Sequence, residues 1–392
     1  MTRGSILEYI RAVKDRYIRG SRKTKGEILD EFVSNTGYHR KSAVRALKRK
    51  SSVDRATKPG RPKKYKSTVA NELKYLWEIT DHLCSKRLHP FIPELLDILR
   101  RNGNHVISRE IEMQLRALSP STMDRLLQAC HQKGGRSRFS TTKPGTLLKN
   151  SIPIRTYADW KENSPGFFEA DTVAHCGDSV EGFYLSTLSS VDVATGWIEC
   201  TGTWGKGQTR IRQGIHRIRQ RLPFYMLGLD SDNGSEFINQ HLLNYCRQWE
   251  ITFTRSRSYK KNDSCHIEQK NWNVVRRVVG YGRYSSHAAL AALNDVYNYL
   301  CLYMNFFQPV MKIVSKTRHG ARVHKIYDIA QTPYQRLLKY NMLSEDKQRE
   351  LQAIYQSLDP ATIIDKLNNS LEKLWELEEN KVKPKRLKIH KI

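Results

Sequence analysis

The sequence predicts an α/β domain with a mixed sheet, preceded by an all-helical region. Three observations lead there. Residues 167–204 alternate strand-forming runs with turn residues, residues 207–268 alternate helix and strand patterns, and residues 24–131 carry apolar residues at three- and four-residue intervals. At 392 residues the chain has room for two or three domains, one of them large enough for a full α/β core. Lys and Arg total 67 against 39 Asp and Glu, a net charge of +28, so a polyanion is the expected partner, with nucleic acid ahead of anionic membrane. No apolar stretch approaches the roughly 20 residues that a membrane helix needs, and the first residues, MTRGSILEYIRAVKDRYIRG, lack a signal-peptide core. The seven cysteines are scattered and never form a C-x-x-C pair, which argues against a disulfide framework and a structural zinc and for reduced, mostly buried thiols.

Residues 24–49, TKGEILDEFVSNTGYHRKSAVRALKR, read as a helix-turn-helix. Thr24 and Glu27 form a capping-box pair, and Asn35-Thr36-Gly37 makes the turn. The second helix turns Ala43, Val44 and Leu47 inward and leaves Arg40, Lys41, Arg45 and Lys48 for DNA; a plain helical hairpin with a solvated basic face is the alternative. Residues 51–67 are a basic Pro- and Gly-containing linker. Within it Gly60-Arg61-Pro62, followed by Lys63, resembles the core of an AT-hook, and a flexible linker attracting phosphate is the bland reading. A second helical region covers residues 68–132 and closes on a helix capped by Ser119 and opened by Pro120. That helix presents Ser121, Thr122 and Arg125 either to DNA or simply to solvent beside a packing face. A second basic linker occupies residues 133–160.

From Phe167 the runs FFEADTVAH, GFYLSTLSSVDV and WIECTGTW predict an antiparallel meander of three strands. A basic helix from about Gly207 to Arg221 follows. After it come an apolar strand from Phe224 ending in DSDNGSEF, a helix capped by Ser235 and running to Trp249, the short strand Ile251–Thr254, a polar basic loop and another helix. The order β-β-β-α-β-α-β-α is that of a ribonuclease H-like mixed sheet. In such a sheet the first and fourth strands can be neighbours, so acids distant in sequence can meet at the carboxyl ends of the strands.

Three stretches, EADTVAHCG around Asp171, DSDNGSEF around Asp232 and KKNDSCHIEQKN around Glu268, resemble the DDE transposases of bacterial insertion sequences, relatives of retroviral integrases. Thirty-five residues lie between Asp232 and Glu268, as in that family's pattern, and the resemblance runs from Phe167 to about Tyr340. It implies a catalytic core over 161–340, with a C-terminal helix and basic tail over 341–392. It also implies Asp171, Asp232 and Glu268 as catalytic carboxylates and ligands of two Mg²⁺ ions, with Mn²⁺ able to substitute. The implied partners are double-stranded DNA, as terminal inverted repeats and target, and a second or further copy of the chain. The implied activity is hydrolysis at element ends followed by strand transfer, in the bacterial cytoplasm at the nucleoid. A DNA-binding regulator on an inactive nuclease fold, and an RNA-directed nuclease, are the alternatives.

Each acid has a structural alternative of its own, as a turn former or a helix N-terminal acid, and Glu169 and Asp230 are rivals on the same strand faces. Glu268 is expected in the first turn of a helix whose Ile267, Val274, Val275 and Val278 face the core. Lys260, Lys261, Lys270 and Arg276 surround it as phosphate contacts or as a solvated basic face. In the last helix, opened by Asp359-Pro360, the stripe Ile364, Leu367, Leu371 and Leu374 is expected to pair subunits or to pack on its own chain.

Overall fold

The structure, a computed structural model, describes residues 1–48, 64–103, 105–130, 164–256, 267, 271–320 and 322–379. The chain divides into two compact units, Met1–Lys64 and Tyr65–Ile392.

In the first unit, three helices, α1 (Arg3–Arg19), α2 (Arg22–Thr36) and α3 (Arg40–Lys48), enclose Val13, Tyr17, Ile28, Leu29, Phe32, Ala43 and Leu47. The α2–α3 turn falls where the sequence places it, with Gly37 in the left-handed region (φ 72°) as the C-cap of α2. The start of α2 differs from expectation. Ser21, not Thr24, is the N-cap and accepts from the Thr24 backbone N–H at 3.2 Å. Both residues are competent caps, and Arg22 and Lys23 extend a helix readily, so the earlier cap gains a turn.

The second unit is built on a five-stranded sheet of β1 (Phe167–Ala174), β2 (Ser186–Asp192), β3 (Ile198–Thr203), β4 (Gly228–Ser231) and β5 (Thr252–Arg255), in the order β3-β2-β1-β4-β5. The meander β1–β2–β3 is antiparallel, whereas β4 and β5 add parallel to β1. This is the expected ribonuclease H-like mixed sheet, with the first and fourth strands side by side. Strand β4 is shorter and later than the apolar run suggests. Phe224 and Met226 are buried, but Tyr225 is 83% exposed, and pairing begins only at Gly228, where a Cβ would strike the Phe167 ring. Burial rather than sheet pairing accounts for Phe224 and Met226, while Tyr225 and Leu227 are exposed.

Helices α8 (Gln208–Arg221) and α9 (Gln240–Gln248) follow β3 and β4. Asn239 caps α9, accepting from the Leu242 N–H at 2.9 Å, in place of the expected Ser235. Alternation along β1 divides the sheet's two faces: Phe168 and Ala170 join a core with α8, while Val173 joins one with helix α10 (His287–Phe307). Glu169 and Asp171, four and two positions before Val173, share its face.

Helices α4 (Ser67–Ile79), α5 (Ser85–Asn102), α6 (Arg109–Arg116) and α7 (Pro120–Leu127) occupy the region read from the sequence as a second helical domain. Their apolar residues, Leu73, Leu76, Phe91 and Leu95 among them, join the same core as Phe168 and Leu229. Polar ties reinforce this: Tyr303 Oη and Gln308 Nε2 donate to the carbonyls of Ile79 and Thr80 at 2.8 and 2.9 Å.

Beyond α10, the chain forms the hairpin β6 (Ile313–His319) and β7 (Arg322–Tyr327), then α11 (Pro333–Leu338), α12 (Glu345–Ser357) and α13 (Pro360–Glu376). Asp359 caps α13 as expected, accepting from the Thr362 N–H at 2.9 Å. The stripe offered for subunit pairing is spent within the chain, because Ile364, Leu367, Leu371 and Leu374 are buried, the last three in one core with Val296 and Leu300 of α10. Among the described residues no helix is long and apolar enough to cross a membrane. Four of the six described cysteines are buried, and all six are free thiols.

Candidate active site

Parallel pairing of β1 with β4 sets Glu169 against Asp230 and Ala170 against Ser231. Continuing that register brings Asp232, the first residue past β4, level with Asp171. Both are only partly buried, and the Asp232 charge is felt at Asp171. Burial first, and the Asp232 carboxylate second, push Asp171 up to about 7; burial, then Glu236, raise Asp232.

Each carboxylate is aimed by specific donors. Asp171 Oδ1 accepts from the Thr172 N–H at 2.7 Å, and its Oδ2 accepts from Asn271 Nδ2 at 2.6 Å. Asn271 opens a π-helical turn, Asn271–Arg276, and its Oδ1 accepts from the Ser189 hydroxyl on β2. Asp232 Oδ1 accepts from the Gly234 N–H at 2.9 Å. Gly234 is required here by crowding, since a Cβ would lie 2.5 Å from Glu236 Oε2 and 2.9 Å from Asp232 Oδ1. Asn233 closes the turn, donating to the Ser256 carbonyl at 2.8 Å.

Glu236 is the acid the sequence reading passed over. It is 6% exposed, accepts from Thr172 Oγ1 at 3.1 Å and pairs with Lys206 Nζ at 3.5 Å. The signal was present: it is the third acid of DSDNGSEF, but its position past the turn hides which way it faces.

The rivals are differently placed. Glu169 is 1% exposed and its Oε2 accepts from the Ile267 N–H at 2.9 Å; Asp230 is 2% exposed and its Oδ1 accepts from Thr254 Oγ1 at 2.6 Å. Both tie neighbouring chain segments to the sheet.

Glu268 lies outside the described residues, as do Lys260, Lys261, Lys270, Arg61 and Lys63. The residues flanking Glu268 that are described, Ile267 and Asn271, bond to Glu169 and Asp171 respectively. Ile267, Val274, Val275 and Val278 are buried, as their spacing predicts. Arg276 turns partly inward, its guanidinium 4.9 Å from the centre of the Tyr281 ring. Arg40, Lys41, Arg45 and Lys48 are exposed on α3, where Arg40 pairs with Asp30. Ser121 and Arg125 are exposed on α7, and Arg125 Nη2 donates to Thr122 Oγ1 at 3.0 Å.

The donor set suits a hard divalent cation. Asp171 and Asp232 offer oxygen only, retain lone pairs beyond the bonds above, and are crowded enough that a cation would relieve their repulsion. Among the described residues no group of three or more such side chains forms a complete metal site.

No family model matches the chain. Among solved structures it is similar to the integrase catalytic core domain of HTLV-2 in complex with magnesium, at 13% identity and a TM-score of 0.29 over 38% of this chain and 91% of that one. It is also similar to the catalytic core domain of BIV integrase, at 17% identity and a TM-score of 0.29 over 44% of this chain and 94% of that one. The strand order and acid placement above stand without these likenesses, which are too low to carry an argument. Among curated proteins it is 41% identical over 322 residues to "Uncharacterized protein y4rM" of Sinorhizobium fredii (strain NBRC 101917 / NGR234), covering 82% of this chain and 91% of that protein. An identity of that level across most of both sequences means that the chain belongs to the same family as y4rM.

Proposed function

We propose that the protein is a DDE-type DNA transposase, which binds terminal inverted repeats, cleaves the phosphodiester at each end and joins the freed 3′-hydroxyl to target DNA. The observation that carries this reading is the meeting of Asp171 and Asp232, 61 residues apart, at the carboxyl side of two parallel strands. Ile267 and Asn271, on either side of Glu268, bond to acids of β1, which supports Glu268 as the third member. Two bound Mg²⁺ ions, or Mn²⁺ in their place, would activate the attacking oxygen and steady the leaving oxygen of an in-line displacement.

The chain's own residues prepare that site. Thr172, Asn271 and Gly234 hold the two carboxylates in fixed orientations, so little reorganisation is needed when phosphate arrives. Lys206 and Glu236 set the charge balance beside them. The exposed cations of α3 and of α7 suit phosphate positioning on double-stranded DNA. No protein nucleophile is required, since water and then the DNA 3′-hydroxyl attack in turn. A working complex that acts on two DNA ends calls for at least two copies of the chain.

The test uses the full chain, Mg²⁺ and duplex DNA carrying the element's ends. Wild type is expected to nick at the ends, and Asp232→Asn to bind the same DNA without nicking. Binding without cleavage by the wild type would leave a DNA-binding regulator on an inactive nuclease fold.

A further inference from the structure

The hairpin β6–β7 is a two-stranded sheet separate from the main one, and every residue of both strands except Ser315 is exposed. Such a hairpin is marginal in water by itself. Its root is firmly held. Lys312 donates from Nζ to the carbonyls of Val193 and Ala194, and from its backbone N–H to Asp328 Oδ1 at 2.7 Å. Asp328 in turn accepts from Arg336 Nη1 at 2.7 Å, and Arg336 Nη2 reaches the Val310 carbonyl at 2.8 Å. Gly320, at φ 60°, supplies the left-handed backbone that a tight hairpin turn needs. A clamped base and a short turn make a stiff arm. Seven residues at about 3.4 Å each give β6 a length of about 24 Å.

The arm's charge is of one sign, with Lys316, Arg318 and Lys325 on one face and Arg322 on the other. From Ile313 to Tyr327 there is no Asp or Glu, while Lys316, Arg318, Arg322 and Lys325 supply four basic side chains. Lys316 stands directly across from Lys325 in the register, so two cations meet on one face of the hairpin. Val323 and Tyr327, 42% and 46% exposed, lie on the same face as these lysines by alternation, giving apolar contacts between the cations. A second copy of this chain would bring its own +28 charge to the same face.

We propose that β6–β7 is a duplex-DNA-binding arm, a β-ribbon that lies in the major groove with Lys316, Arg318, Arg322 and Lys325 on flanking phosphates. The major groove, about 12 Å wide, admits a two-stranded ribbon. The proposal rests on the DNA reading above for its partner and on the hairpin's own charge and exposure for its place.

The test measures affinity of the full chain for a random-sequence duplex by fluorescence anisotropy across several salt concentrations. It compares wild type with the quadruple variant Lys316→Gln, Arg318→Gln, Arg322→Gln, Lys325→Gln, and with the milder pair Arg318→Gln, Arg322→Gln. Loss of four phosphate contacts is expected to weaken binding at least tenfold at 0.1 M salt. It is also expected to make the slope of log K against log salt shallower by about 3 to 4 for the quadruple variant and about half that for the pair. Unchanged slopes in both variants overturn the arm, and so does a change confined to self-association in sedimentation. If wild type binds and nicks DNA while the variants bind normally, the arm falls and the proposed chemistry stands. If wild type never nicks but the variants lose slope, the chemistry falls and the arm stands.

Discussion

Two acid pairs sit side by side along β1 and β4, the second with Asp232 just past the end of β4, and have opposite fates. Glu169 and Asp230 face one another across the β1–β4 register, are 1% and 2% exposed, and have bonds that tie the Ile267 segment and β5 to the sheet. One step along, Asp171 and Asp232 are partly open, raised in pKa, and fixed by donors that do not use all of their lone pairs. Chemical type and strand face are the same for both pairs. What separates a structural acid from an available one is whether the next strand or helix covers it, and the sheet stops covering at the end of β4.

Asp171→Asn and Asp232→Asn give the largest break in that comparison. Each is expected to lower Mg²⁺-dependent DNA cleavage about a thousandfold or more, with a thermal midpoint at or above that of wild type because a repulsive pair is relieved. Glu169→Ala should do the reverse. It strands the buried Ile267 N–H and costs about 2 kcal/mol of stability in chemical denaturation, with Glu169→Gln recovering most of the loss. Gly234→Ala sharpens the contrast from the backbone side. Its Cβ would lie within 3.0 Å of the Asp232 and Glu236 carboxylates and force both to shift, and cleavage should fall about tenfold while the fold persists.

The smallest effect is in pH. Asp171, pushed up to about 7 against about 3.9 in an unfolded chain, keeps a proton when folded that the unfolded chain has lost. Its contribution is therefore present below about pH 4 and lost as pH rises through 7. In chelator, wild type should lose stability relative to Asp171→Asn between pH 4.5 and 7.5, as read by urea denaturation, and added Mg²⁺ should flatten the difference.

The sequence made the acids legible through strand parity and turn position, because side chains alternate strictly and Asn-Gly must end a strand. The meander, the place of Asp171 and Asp232, the buried stripe from Ile267 to Val278 and the Asp359 cap all follow from such local rules. What stayed hidden depends on contacts between segments. Asn271 and Lys206 are ordinary polar residues until the fold sets them beside Asp171 and Glu236. The caps Ser21 and Asn239 each have a competing cap-former nearby, and local chemistry does not rank them. The apolar stripe of α13 has the same spacing whether it faces a partner or α10, and only the packed core decides.

Manganese binding tests the division between the two acid pairs most directly. Electron paramagnetic resonance on the full chain with duplex DNA reports free Mn²⁺ as protein is added. Wild type and Glu169→Gln are expected to sequester the ion, and Asp232→Asn to leave it free. Equal sequestration by all three proteins, or none by wild type, would contradict the assignment of Asp171 and Asp232 as the metal-holding pair.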